Sequence, residues 1–288
     1  MIKNKAIGVD VGGTKMHFAL IGSGKVIKEL RLSTDAYGSQ EAVLEDLKKG
    51  VGELMDDTVI GVGVGVPGLV DPSRGIVHNV QNIPAWKNVP IQSTLESCFN
   101  VPVRVGNDAN CFALGVKFFG KGFSFSDVIG MTMGTGLGAG VVINDNLYVG
   151  NQSIAGEFGG IRYLDATYED YCSGKFFNRN YDHDALYYSQ KAAEGDAEAL
   201  EIYRQFGLHV GEMLKTVMLS FGPQAIIFGG SLSKAFPYFK GGMDESLAAF
   251  PHQHVVKSTL IGVSDNPSMA VLGAASLIFS IAAQLLNE

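Results

Sequence analysis

Two fifteen-residue stretches, IGVDVGGTKMHFALI (7–21) and IGMTMGTGLGAGVVI (129–143), are built alike. Each runs from a β-rich segment through a glycine-rich turn with threonine into a second β-rich segment. A polar turn follows each, GSGK (22–25) in one case and NDN (144–146) in the other. Either two Gly/Val-rich hairpins coincide, or a domain has been duplicated and each half opens on a hairpin that presents a glycine turn.

The rest of the chain fits duplication. Strands are predicted at 6–11, 16–21 and 26–30, then a helix over 39–55 in which Leu44, Leu47, Val51 and Leu54 recur at helical spacing. VIGVGVGV (59–66) and VPVRV (101–105) read as buried strands, and a helix begins directly after the second. The second half offers a long amphipathic helix near 196–221, a strand at 225–230, a helix near 236–249, a strand near 254–263 and an apolar final helix at 269–286. Two α/β domains are expected, 1–115 and 116–267, with residues 268–288 packing back on the first.

Composition narrows the function. With 46% hydrophobic and 18% charged residues the 288-residue chain is globular, and a net charge of −7 without basic runs argues against nucleic acid. The final helix is interrupted by Gly273, Ser276, Ser280 and Gln284 and lacks a basic flank, so it reads as a buried or interface helix, not a membrane span. Cys98, Cys111 and Cys172 show no disulfide or metal-ligand spacing, and the start shows no signal-peptide pattern, so a reducing, cytoplasmic setting is expected.

Several constellations carry chemistry. In DVGGTK (10–15), Gly12 and Gly13 let backbone N–H groups face an anion, Thr14 adds a hydroxyl and Lys15 a cation. Asp10 can hold Mg²⁺ through water, although Asp and Gly also favour ordinary turns. GTGLGAG (134–140) can wrap a phosphate with backbone donors, or be a plain hairpin. FGGSLSKAF (228–236) is a strand–glycine–helix junction able to seat a base or ribose. Three such junctions together favour a nucleotide held between domains. In VRVGNDAN (103–110), Asp108 follows a strand and opens a helix; a carboxylate there can take the proton of an alcohol, or cap the helix. GVGVPGLVDPSRG (61–75) adds a glycine turn suited to substrate hydroxyls, while Asp71-Pro72 reads as a turn.

Taken in order, DVGGTK, GVPGLVD, GNDAN, GTGLGAG, AGEFGG and FGG make the chain resemble the ROK family of bacterial sugar kinases and sugar-responsive regulators over residues 6–280. The resemblance implies an actin-like (ribonuclease H-like) two-domain fold with sugar and Mg·ATP in the central cleft. By it, Asp10, Gly12, Gly13, Thr14 and Lys15 form one phosphate loop, and Gly134, Thr135, Gly136 and Gly138 the other. Gly229 and Gly230 meet adenosine. Asp108 is the base, and Gly68, Asn107, Glu157 and Glu169 bind sugar.

One departure stands out. Gly160 occupies the place of the histidine in the family's E-x-G-H motif, and residues 161–168 contain none of the cysteines of its zinc loop. The whole zinc node is therefore expected to be absent. Arg162, Tyr163 and NRNYDHD (178–184) are read as solvated loops, though any of them can reach toward the sugar. The leading expectation is an ATP- and Mg²⁺-dependent hexose kinase, glucokinase-like and acting at O6, with N-acetylmannosamine, N-acetylglucosamine or fructose as alternative substrates. Its rivals are a non-catalytic sugar sensor and another actin-like ATPase. A sugar-responsive repressor is disfavoured because only nine residues precede Asp10. The apolar final helix and the resemblance both suggest a homodimer.

Overall fold

The computed structural model describes residues 5–285 except 72, 79, 81, 82 and 85, with side chains to residue 279. Pro72 and Leu286, which fall within predicted elements, lie outside the described residues.

The chain opens with a meander, β1 (Lys5–Val11), β2 (Lys15–Gly22) and β3 (Lys25–Ser33), followed by α1 (Gln40–Gly52) and β4 (Val59–Val66). Ser39 caps α1 by accepting from the Ala42 N–H at 3.2 Å, and Val43, Leu47 and Val51 form its buried stripe. Three short strands, β5 (Leu69–Asp71), β6 (Ile76–His78) and β7 (Val89–Pro90), make a separate small sheet. Then come α2 (Ile91–Phe99), β8 (Val103–Asn107) and α3 (Asp108–Phe119). The first large sheet has the order β3-β2-β1-β4-β8, antiparallel through the meander and parallel from β1 to β8.

The second half repeats the plan. β9 (Val128–Met133), β10 (Leu137–Ile143) and β11 (Asn146–Tyr148) form the meander. A long excursion follows, with β12 (Arg162–Tyr163), β13 (Ala166–Thr167), α4 (Tyr168–Cys172), α5 (Lys175–Asn180), α6 (Ala185–Ala193) and the 25-residue α7 (Ala197–Phe221). β14 (Ala225–Gly229), α8 (Phe236–Ala248), α9 (Gln253–Ser258), β15 (Leu260–Val263) and α10 (Met269–Leu285) complete the chain. The second sheet runs β11-β10-β9-β14-β15, the same topology as the first. Asp10 of β1 and Thr132 of β9 stand at equivalent positions, each beside a parallel-strand glycine, Gly65 and Gly229.

Two strand predictions are corrected. The strand expected at 101–105 starts at Val103 and runs to Asn107, because parallel pairing with β4 extends to Val66↔Asn107. The strand expected at 254–263 is helical in its first half. β14 offers partners only from Ala225 to Phe228, so 260–263 pair and the preceding residues form α9, ending on the Thr259 N–H to Val255 O bond.

α10 is packed inside this chain. Val271, Ala274 and Ala275 are fully buried, and a Cβ at Gly63 of β4 would lie 1.8 Å from the Ala274 carbonyl oxygen. A Cβ at Gly273 would lie 1.7 Å from the Cys111 carbonyl oxygen on α3. Backbone thus touches backbone where α10 crosses the sheet and α3, and only glycine permits it. The apolar face that suggested a dimer is spent, over 269–278, on this intramolecular packing. Among the described residues no helix is long and apolar enough to cross a membrane.

Candidate active site

Where β8 gives way to α3, the chain sets Asn107 and Asp108 at the carboxyl end of a parallel sheet. Asn107 has extended backbone angles, and its Oδ1 accepts from the N–H groups of Ala109 and Asn110 at 2.9 and 3.2 Å. It is therefore the helix cap. Its amide nitrogen donates to the Gly68 carbonyl at 3.1 Å, tying the turn after β4 to the start of α3. Gly68 has φ +89°, a conformation that favours glycine. With the cap supplied by Asn107, Asp108 keeps one oxygen on the Ala109 N–H at 2.8 Å and is otherwise available for chemistry.

The electrostatics set Asp108 apart. Burial, reinforced by the negative charge of Asp10 and by that of Glu157, pushes its carboxyl up to about 7 despite the backbone N–H bonds it accepts. Burial likewise raises Asp10 to about 6, with Lys15 pulling the other way. Partial desolvation and then the charge of Glu169 raise Glu157. Carboxylates that neither water nor a cation neutralises behave in this way. The Asp10/Asp108 pair offers hard oxygen donors short of counter-charge, which suits a divalent cation held partly by water and phosphate. Among the described residues no group of three or more His, Cys, Asp or Glu is arranged to hold a metal by itself.

A cleft of 760 Å³ opens beside this pair. One wall carries Asp10, Asp108 and Phe112; the other carries Thr132, Gly229, Gly230 and the segment after β14. Gly230 has φ +82°, and a Cβ there would sit 2.3 Å from the Met133 carbonyl oxygen. Ser231 approaches the second glycine turn, 3.4 Å from where a Cβ on Gly134 would lie. Of the residues expected to cradle a nucleotide, Asp10, Gly229 and Gly230 line the cleft. Gly12, Gly13, Thr14 and Lys15 form the adjoining β1–β2 turn, closed by Gly12 N–H to Lys15 O at 2.9 Å, and do not line it. Gly134, Thr135, Gly136 and Gly138 belong to the β9–β10 turn, closed by Gly134 N–H to Gly136 O at 3.0 Å, and are also outside the cleft's lining.

That second turn is stitched to the segment carrying Glu169. Gly174 N–H donates to Gly134 O at 2.7 Å, the Ser173 hydroxyl to Thr135 O at 3.2 Å, and Leu137 N–H to Glu169 Oε2 at 3.0 Å. Lys175 Nζ meets the other Glu169 oxygen at 2.5 Å. Glu157 lies near Glu169, preceded by Gly156, whose φ of +95° turns the chain back toward β10. The two glutamates singled out by sequence are thus close enough for the charge of one to act on the other, and neither lines the cleft.

Between them lies the β12–β13 hairpin, and here one expectation is corrected. Tyr163 is half-buried and not a solvated loop residue. Its ring stacks on Tyr168 at 4.6 Å, and its hydroxyl lies 3.1 Å from His209 Nδ1 on α7. Tyr168 bonds the Thr216 hydroxyl at 2.7 Å, so two tyrosines pin the hairpin to the long helix. Arg162 and residues 178–180 are exposed.

Lys234 and Phe236, within the FGGSLSKAF junction, line the cleft as well. Sequence reasoning missed Ser264, Asp265, Asn266 and Pro267, between β15 and α10, which also line it. They follow a strand shorter than its sequence suggests. Lys175 was missed as well; its position six residues after Glu169 was the available signal.

The ROK family profile matches residues 6–280. A glucokinase of Thermotoga maritima is 30% identical, covering 96% of this chain and 98% of its own. The solved structure of a ROK family glucokinase from Streptomyces griseus, in complex with glucose and AMPPNP, superposes with a TM-score of 0.78 at 27% identity, covering 95% of this chain and 98% of its own. A xylose repressor of Caldicellulosiruptor bescii is 35% identical over 53% of this chain and 40% of its own. The actin-like architecture, the repeated sheets with a cleft between them and the ordered motifs agree with that match: the chain belongs to the ROK family.

Proposed function

We propose that this protein is a sugar kinase that transfers the γ-phosphoryl group of ATP to a hexose hydroxyl, glucokinase-like and at O6. The observation that carries the reading is Asp108. It is a carboxylate raised to about 7, at the start of a helix, beside Asp10 and on the wall of a cleft large enough for a nucleotide. A base poised near working pH is strong enough to take the proton and is about half ionised at rest.

In this reading the sugar lies against Gly68, Asn107, Glu157 and Glu169, and the carboxylates of the two glutamates accept from its hydroxyls. Asp108 accepts the proton of the acceptor hydroxyl as that oxygen bonds to the γ-phosphorus, the bond to the β–γ bridging oxygen breaks, and ADP leaves. The two glycine turns and the Gly229–Gly230 junction hold phosphates and adenosine. Asp10 would hold Mg²⁺ through water; the ion supplies positive charge to the phosphates. The bodies formed by 1–115 with the final helix, and by 116–267, close to exclude water. The glucokinase relative and the glucose–AMPPNP structure support this reading. Three free thiols, two of them buried, suit a cytoplasmic setting. The homodimer proposal now rests on the family resemblance.

A second reading, a non-catalytic sugar sensor, is favoured by one observation: both Glu169 oxygens are already partnered, by Lys175 and by Leu137 N–H. A coupled ADP-release assay with Mg·ATP across glucose, mannose, fructose, N-acetylglucosamine and N-acetylmannosamine separates the two. Turnover on one sugar that vanishes in Asp108→Ala establishes the kinase. Sugar binding by calorimetry without turnover on any of them sinks it in favour of the sensor.

A further inference from the structure

β14 and β15 run parallel with Phe228 opposite Val263, and the Ser264 N–H donates to Phe228 O at 2.8 Å. Pairing therefore carries Asp265 to the carboxyl edge of the second sheet, beside the Gly229–Gly230 junction, and all three residues line the cleft. That edge is where open α/β sheets receive ligands. Asn266 Oδ1 accepts from the Ser268 N–H at 2.9 Å and Pro267 fixes the next φ, so the turn that carries Asp265 is set before a ligand arrives.

A lysine from the passage between the two halves aims this carboxylate. Lys121 lies between α3 and β9, and its Nζ donates to Val263 O at 2.6 Å and to Asp265 Oδ2 at 2.8 Å. Anchored on the carbonyl, the ammonium holds Oδ2 and leaves Oδ1 open. Both side chains are exposed, so the pair adds little to stability; its effect is orientation.

Of the three carboxylates lining the cleft, Asp10 and Asp108 stand on the first half's wall, and Asp265 alone stands with Gly229 and Gly230. Its charge repels a triphosphate, which therefore runs away from it, and the nucleoside end is left to face it. A carboxylate only accepts hydrogen bonds. The edge of adenine sets an acceptor beside its amino group and meets such a group poorly. The 2′ and 3′ hydroxyls of ribose are two adjacent donors and match it.

We propose that Asp265 binds the ribose hydroxyls of the nucleotide and selects ribonucleotide over deoxyribonucleotide, with Lys121 as its positioning residue. This rests on the proposal that the cleft holds ATP.

Calorimetry on the full chain with the Mg²⁺ salts of ATP, 2′-deoxy-ATP and 3′-deoxy-ATP, without sugar, tests it apart from turnover. Each deoxy analogue should bind about five- to tenfold more weakly than ATP, the loss of one hydrogen bond. Asp265→Ala should weaken ATP and bring the three affinities together. Lys121→Met should reduce the discrimination part-way, and add nothing to Asp265→Ala. Tm should stay unchanged in both, since both side chains are exposed. Equal binding of all three nucleotides by the wild type overturns this inference and leaves the nucleotide reading standing. Failure of every nucleotide to bind overturns both. Discrimination that survives Asp265→Ala also overturns it, as does loss there of a preference for ATP over GTP in place of the ribose preference.

Discussion

Lys175 Nζ lies 2.5 Å from Glu169 Oε1 while the Leu137 N–H holds Oε2 at 3.0 Å, so one glutamate joins a lysine on α5 to the turn that opens β10. The ion pair raises the lysine's pKa, with the Glu169 hydrogen bond as the main cause. Both side chains are partly exposed, which limits the pair's worth. What the pair fixes is where the Glu169 carboxylate points. Lys175→Met should therefore raise the KM for sugar by about two- to fivefold, with a smaller change in kcat. Steady-state kinetics on the active sugar decide this; an unchanged KM would separate Glu169 from sugar binding.

Activity should rise with pH through neutrality. Asp108 must be ionised to accept a proton, and its carboxyl titrates at about 7. The acid limb of kcat/KM should therefore lie near 7 in the free enzyme. Because the charge of Asp10 helps raise Asp108, Asp10→Asn should move that limb to lower pH even as the rate falls. A limb that stays put, or moves up, would show that burial alone sets the value.

Stability should move the opposite way. A carboxyl raised from about 3.9 in the unfolded chain to about 7 binds more protons when folded. Its burial thus costs nothing below the unfolded value, and costs progressively more as pH rises through the folded one. Asp108→Asn removes that cost. The variant should match the wild type in Tm near pH 4 and exceed it near pH 8, by roughly 2–4 °C for each kcal/mol relieved. Calorimetry at the two pH values tests the sign.

Gly230→Ala tests the adenosine junction. The positive φ and the approach of Met133 O, 2.3 Å from a would-be Cβ, leave no room for a methyl group. A loss of about 1–3 kcal/mol is expected, measured by urea unfolding. Weaker ATP binding should accompany it, since Gly230 lines the cleft.

Tyr163→Phe keeps the stack on Tyr168 and removes the contact with His209. About 1 kcal/mol should be lost. Burial lowers the His209 pKa, with the charge of Glu212 opposing it, so the ring stays neutral at pH 7. The hydroxyl can donate to a bare Nδ1 or accept from a protonated one, so the contact survives protonation of the ring. The gap between variant and wild type should then persist from pH 8 to pH 4.5; a gap that vanishes in acid would refute this account.

The sequence by itself determined the repeating plan. Glycine turns between β-rich runs at 7–21 and 129–143 leave few foldings, because local steric permission and alternating burial act over a handful of residues. It also marked Asn107, Asp108, Glu157 and Glu169, residue types whose chemistry is legible without coordinates. Tertiary structure decided what their neighbours make of them. Asp108 is raised because burial and Asp10, ninety-eight positions away, act on it together. Glu169 is held by a turn more than thirty residues earlier. The strand expected at 254–263 became half helix for want of a partner on β14. Tyr163 left solvent for α7 because a helix forty-six residues on supplied His209. Desolvation, through-space charge and strand pairing depend on distance in space, and a linear pattern carries only distance along the chain.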